Sequence, residues 1–261
     1  VTAQAAAASR RVTAPAPQPG RSVELLLRLS CPPAGRRAFQ QVYAYFRVLD
    51  DRADAPGALP AQAAAAVARH LALLDGAAPC DPVEAALAEV RAGPLGPAMG
   101  PAIEGMGAAI AWDARRRGRS CTQAELEAQI TRIGDAYLRA LWVCSGARGP
   151  LPEDLCWLSR AATGAHQLRD LEEDLGLGYL NVPVEALAEL GLEGVPAASL
   201  DRSRLAPWIA ARCVALDRAF DRGEAHLPAV RPLRCRTLIT AFSHRYRWLL
   251  ARQRPASSAA R

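Results

Sequence analysis

Two polar stripes, each repeating at helical intervals inside otherwise apolar segments, constrain this chain more than any other feature. Tyr43, Arg47, Asp50 and Asp54 are spaced by four, three and four residues, flanked by Val42, Phe46, Val48 and Leu49. Ser159, Thr163, His166, Asp170 and Asp174 follow the same rhythm. Residues three and four apart share one helix face, with Cβ atoms about 5–6 Å apart. Burying such a stripe without partners is costly, so each must meet water, a counter-charge or an ion. For one isolated Asp-x-x-x-Asp, a solvated face with local pairs such as Arg47–Asp50 is the ordinary outcome. A second copy, in Ala/Leu-rich surroundings, argues instead for two helices turned toward each other.

The remaining chain reads as helix throughout. Helical periods dominate, strictly alternating β-branched clusters are absent, and Pro and Gly punctuate the segments. Helices are expected near 22–30, 35–55, 60–75, 82–92, 98–115, 123–146, 152–177, 203–222 and 231–252, with Pro152 early in its helix, where a missing N–H does no harm. Residues 1–20, rich in Ala, Pro, Gln and Ser, read as a disordered leader, 21–252 as one domain, and 253–261 as a flexible tail. The leader lacks the apolar core of a secretion signal. No stretch reaches the roughly 18 uninterrupted apolar residues of a membrane span, which leaves at most peripheral membrane contact.

The net charge of +6 does not point to nucleic acid. Every one of the 32 basic residues is arginine, a compositional bias rather than a built patch. Arg115, Arg116, Arg117 and Arg119 form the one dense run, just ahead of a Thr122-x-x-Glu125 capping box, and are expected in a solvated loop. The sharper alternative is a loop that gathers an anionic substrate. Seven dispersed cysteines without a Cys-x-x-Cys pair suggest reduced thiols serving as small core residues in a cytoplasmic protein. The four histidines are equally scattered, which argues against zinc.

Paired carboxylates suit a hard cation. Mg²⁺ takes one or two of them and completes its shell with water and substrate phosphate. Two facing pairs would hold a diphosphate, as ionisation of an allylic diphosphate requires. Asp50, Asp54, Asp170 and Asp174 are therefore the expected metal ligands, with Arg47 one turn from Asp50 and able to bind a phosphate oxygen through its fork of donors. Tyr43, Tyr45, Phe46 and Trp142 offer π-faces to a cation, although ordinary core packing is the expectation for Phe46 and Trp142.

These residues resemble the squalene/phytoene synthase family. Residues 43–54 match its Tyr-Ala-x-x-Arg-x-x-Asp-Asp-x-x-Asp at every fixed position, and Arg169, Asp170, Asp174, Gly178 and Pro183 match its second motif. The segment 32–38, Asp113 and the helix start at Thr122 to Leu126 also look like the family's, so the resemblance spans about 21–252. It implies an all-α, single-domain class I isoprenoid synthase-type bundle with a central pocket. It also implies Mg²⁺ as cofactor and an allylic prenyl diphosphate as substrate. The expected substrate-binding set is Arg47, Asp51, Thr163, Arg169 and Tyr246; Tyr43 and His166 join the aspartates as expected catalytic residues.

Departures from the family pattern shape the expected reaction. Gly20 to Glu24 does not resemble the family's first-helix His-Ser-x-Ser-Phe, Ala128 stands where a middle-helix tyrosine is usual, and Thr163 and His166 replace Gln-x-x-Asn. On that basis the expected reaction is transfer of one prenyl group to a small aromatic acceptor, with His166 removing the ring proton. Alternatively the released diphosphate takes that proton and His166 only orients phosphate oxygens by hydrogen bonding, or His166 is merely satisfied by Thr163 or a backbone carbonyl. The competing reaction is head-to-head condensation with a second prenyl diphosphate, as most of the family performs through a cyclopropyl intermediate. A non-catalytic assembly factor ranks last, because both aspartate motifs are kept.

Overall fold

The helical periods become a bundle in which one helix, carrying the second stripe, runs through the middle. The computed structural model describes residues 20–53 and 60–255, without the side chains of 21, 22 and 60. The expected leader up to Pro19, residues 256–261 of the tail, and Asp54 lie outside the described residues. Ten α-helices are present among the described residues. They are α1 (Arg21–Ser30), α2 (Pro33–Ala53), α3 (Pro60–Leu74), α4 (Pro82–Ala92) and α5 (Gly96–Arg116), then α6 (Gln123–Cys144), α7 (Cys156–Leu177), α8 (Val184–Glu189), α9 (Ala206–Glu224) and α10 (Leu233–Ala251). The described residues contain no strand, only an isolated parallel bridge between Cys121 and Pro183.

Local chemistry explains the boundaries. Asp81 caps α4 by accepting from the Val83 and Glu84 amides at 2.9 and 2.8 Å, with Pro82 at the first helical position. The capping box at Thr122 and Glu125 opens α6 as expected. Two starts lie more than two residues from the sequence reading. Pro152 is extended (ψ 128°) and leads into a tight turn, Glu153–Leu155, so α7 begins at Cys156 rather than 152. Asp201 Oδ1 accepts from the Ser203 and Arg204 amides, each at 2.9 Å, and that turn delays α9 to Ala206. The short α8 was not anticipated; six residues are too few to show a period.

Helix α7 packs against α6, α9 and α10, while α2 packs against α3, α4, α5 and α6. The contact face of α7 is built from Ala161, Ala162, Ala165, Leu168 and Leu171, all at most 2 % exposed. Small residues there let neighbouring helices approach closely. At Gly134 on α6 the approach is tightest for the site: an added Cβ would lie 2.8–3.0 Å from the Ser159–Arg160 backbone of α7. Six of the seven cysteines are buried, as expected of small core residues; Cys80 is exposed. Trp142 and Phe46 are core residues too, the former donating from Nε1 to Gly149 O at 3.1 Å. Tyr45, a candidate π-face in the sequence, is also buried and shares a 2.8 Å hydrogen bond with His70 Nδ1. Among the described residues, no helix is long and apolar enough to cross a membrane.

Candidate active site

A cavity of about 360 Å³ opens where α2, α5, α6, α7 and α10 meet. The whole second stripe faces it: Ser159, Thr163, His166, Asp170 and Asp174 line one wall in helical order. Of the first stripe, Asp50 lines it. Tyr43 is half-buried and stacked on Phe39 with ring centroids 6.4 Å apart, the Phe39 ring in turn meeting that of Tyr137. Arg47 pairs at 3.0 Å with both Asp50 and Asp51, on the exposed side of α2. Arg169 forks onto Asp170 at 2.5 and 2.6 Å.

The polar end holds more than the two motifs promised. Asp113, from the last turns of α5, and Arg116 line the same cavity as Asp50, Asp170 and Asp174. Arg116 corrects the expectation of a solvated run: its side chain is 8 % exposed, and it belongs to α5 rather than to a loop. It pairs with Asp113 at 3.0 Å, donates to the Asn181 side chain, and lies 4.3 Å from the Trp112 ring centroid and 5.5 Å from that of Tyr179. Burial costs a guanidinium little here because a carboxylate, an amide oxygen and two π-faces replace water.

A glycine makes that arrangement possible. Gly178 ends α7 with φ 86°, a left-handed turn that sends Tyr179 and Asn181 back over the helix they have just left. Asn181 Nδ2 then donates to Asp174 Oδ2 at 2.6 Å. Two backbone bonds, Gly118 N to Gly178 O and Val184 N to Cys121 O, each 2.9 Å, tie this turn to the α5–α6 loop.

Their surroundings shift the carboxylates in opposite directions. Burial raises Asp174, the Asn181 bond partly opposes it, and the neighbouring Asp170 and Asp113 charges add to it, so its pKa is pushed up to about 6. Asp170 meets burial as well, but the His166 and Arg169 side chains outweigh it and hold it at about 2. A carboxylate raised by two neighbouring acids marks a site that gains from a cation, and this donor set fits a hard one. The only three ligand atoms within 4.8 Å of one another among the described residues belong to Cys80, Asp81 and Glu84. The cavity carboxylates are therefore spread around its mouth rather than closed into a cage. That suits Mg²⁺, which leaves most of its shell to water and phosphate.

His166 is satisfied by neither Thr163 nor a backbone carbonyl. It shares a 2.7 Å hydrogen bond with Tyr246 across α7 and α10, while the Thr163 hydroxyl donates to Ser159 O at 2.9 Å. Ala128 is exposed on the outer side of α6, so its replacement of a tyrosine removes nothing from the cavity.

A squalene/phytoene synthase family model matches residues 18–258. The chain belongs to the squalene/phytoene synthase family. Membership makes it a prenyl-transferring enzyme. Solved structures agree on the isoprenoid synthase-type fold. The squalene synthase HpnC from Alicyclobacillus acidocaldarius superposes with TM-score 0.66 at 22 % identity, covering 87 % of this chain and 86 % of that one. A dehydrosqualene synthase in complex with ligand gives the same TM-score at 20 % identity, covering 87 % of this chain and 80 % of that one. A search of curated proteins gives no match.

Among the cavity residues, Asp113, Tyr137, Tyr179, Asn181 and Phe242 had been given no role from sequence, and Arg116 only that of a loop residue, solvated or gathering substrate. Arg116 carried a faint signal, lying four residues from Trp112 and three from Asp113 at the end of an apolar helix. Asn181 carried another, three residues after a helix-ending glycine.

Proposed function

We propose that this synthase ionises an allylic prenyl diphosphate and couples the resulting cation to a second prenyl diphosphate, head to head. The observation that carries the reading is a single cavity with an acidic end, at Asp50, Asp113, Asp170 and Asp174, continuous with an aromatic end at Tyr137, Phe242 and Tyr246. The family match and the identities of the two solved neighbours favour a prenyl diphosphate as acceptor. The loss of second-substrate groups inferred from Ala128 falls away with its position outside the cavity.

Asp50, Asp170 and Asp174, with Asp54, are the residues that would hold Mg²⁺. When bound, it supplies positive charge that makes the diphosphate a better leaving group. Arg47 and Arg169 stand beside the aspartates and present their remaining N–H donors to phosphate oxygens. The apolar end excludes water from the cation, and the faces of Tyr137, Phe242 and Tyr246 give it negative π-density. A second reading, transfer to an aromatic acceptor, is favoured by one observation. The His166–Tyr246 pair stands inside the cavity, where it can accept the proton an attacked ring must lose.

Incubation with C15 or C20 diphosphate and Mg²⁺ as sole substrates tests the choice. A C30 or C40 coupled product, and an analogue stoichiometry of two per chain, are expected. Prenyl alcohol alone, with a stoichiometry of one, would favour the aromatic acceptor. Asp170→Asn and Asp174→Asn should abolish diphosphate release in folded protein; normal turnover in either would overturn the site itself.

A further inference from the structure

The acidic end of the cavity fixes where a diphosphate would sit; the opposite end fixes how far its tail can run. The lining residues on α7 descend from Asp170 to Ser159, eleven residues along one helix. At 1.5 Å rise per residue that is about 16 Å. At the bottom stands Tyr137 of α6. Its ring packs edge-on against Phe39 of α2, centroids 5.9 Å apart at 86°, and stacks on Phe242 of α10 at 5.5 Å and 25°. Three helices thus contribute one ring each to a common floor. At Gly134, less than one turn from Tyr137, the α6 and α7 backbones approach closely at this depth. Burial pushes the Tyr137 phenol pKa upward, so the hydroxyl stays neutral beside a hydrocarbon.

We propose that Tyr137 is the depth stop of this cavity and sets the longest prenyl tail the enzyme accepts. The proposal rests on the reading of the cavity as a prenyl diphosphate site. An extended isoprene unit contributes four chain bonds of about 1.5 Å, which zigzag to about 5 Å. Three units span the distance from Asp170 to the floor; a fourth meets the phenol ring. Nothing in the acidic motifs distinguishes tail lengths, so the selection falls to this residue.

The test uses the full chain, as wild type, Tyr137→Phe, Tyr137→Leu and Tyr137→Ala, with C10, C15 and C20 allylic diphosphates. Diphosphate release is measured as kcat/KM, and affinities of non-ionisable thiolo-diphosphate analogues of the same lengths are measured by calorimetry. Wild type and Tyr137→Phe should prefer C15 to C20. Tyr137→Leu and Tyr137→Ala should move the C20-to-C15 ratio toward C20 at least tenfold in both measurements. An unchanged ratio in the shortened variants, or an equal shift in Tyr137→Phe, would overturn the proposal. Should Tyr137→Ala fail to fold, Tyr137→Leu decides alone, being closer in volume. If wild type releases diphosphate from none of the three, the proposed function fails, yet the analogue affinities still judge Tyr137.

Discussion

Replacing Arg116 with alanine should destabilise the protein well before it is asked to catalyse anything. Its guanidinium is buried, pairs with Asp113 at 3.0 Å, donates to Asn181, and lies over Trp112 and Tyr179. Removing one partner of a buried pair costs about 3–5 kcal/mol, because the other charge stays behind. Asp113 is 30 % exposed and also accepts from Gln129 Nε2 at 2.8 Å, so water and that amide recover part of the loss. About 3 kcal/mol remains, and a domain of this size shifts its melting point by about 2–4 °C per kcal/mol, giving a fall of about 6–12 °C. Arg116→Lys should lie in between, keeping the charge but losing the fork and the stacking. Calorimetric unfolding at neutral pH in EDTA measures all three. A melting point for Arg116→Ala within about 2 °C of wild type would refute the claim that this arginine is an integral part of the cavity wall.

Asp174 predicts a pH dependence of opposite sign to that of an ordinary paired carboxylate. Its folded pKa, about 6, lies above the usual 3.8, so its contribution to stability is present in full below pH 3.8 and is lost as pH rises through 6. Metal-free Asp174→Asn should therefore melt above wild type at pH 7–8, by about 2–6 °C after allowing for partial solvent screening, and level with it near pH 4; a constant difference across that range would contradict the assignment. Gly134→Ala should cost about 1–3 kcal/mol, because the obstructing atoms are backbone and cannot rotate away. Denaturant unfolding measures it, and a neutral outcome would mean that α6 and α7 separate freely at that point.

What could be read beforehand divides along physical lines. Ser159 through Asp174 were legible because one helix displays them at its own period, and a period survives in sequence. Asp113, Arg116 and Asn181 come from segments some sixty residues apart, joined only by loop contacts that no local pattern records. The arginine run looked solvated because charge runs usually are; burial of one member depends on Trp112 and Tyr179 arriving on either side of it. Aromatic residues posed the converse problem. Tyr45, Phe46 and Trp142 are aromatic like Tyr137, Phe242 and Tyr246, and only packing decides which set meets the cavity and which the core. The boundary errors at Cys156 and Ala206 were small because proline and aspartate shift a helix start without abolishing it.

The stitching of the α5–α6 loop to the turn after α7 has a bearing on how this molecule is assembled. The backbone bonds from Gly118 to Gly178 and from Val184 to Cys121 close segments about sixty residues long, whereas helix contacts such as α6 with α7 join neighbours in the chain. Loop closure of that length must be completed before its contacts repay the entropy, so such pairings form late. The seams between chain neighbours, such as α2 with α3 and α6 with α7, belong to the local part of folding. The acidic mouth, which needs Asp113 and Arg116 from one segment and Asp174 and Asn181 from the other, belongs to the last. A chain can thus hold nearly all its helix and still lack the acidic rim that these two segments build together.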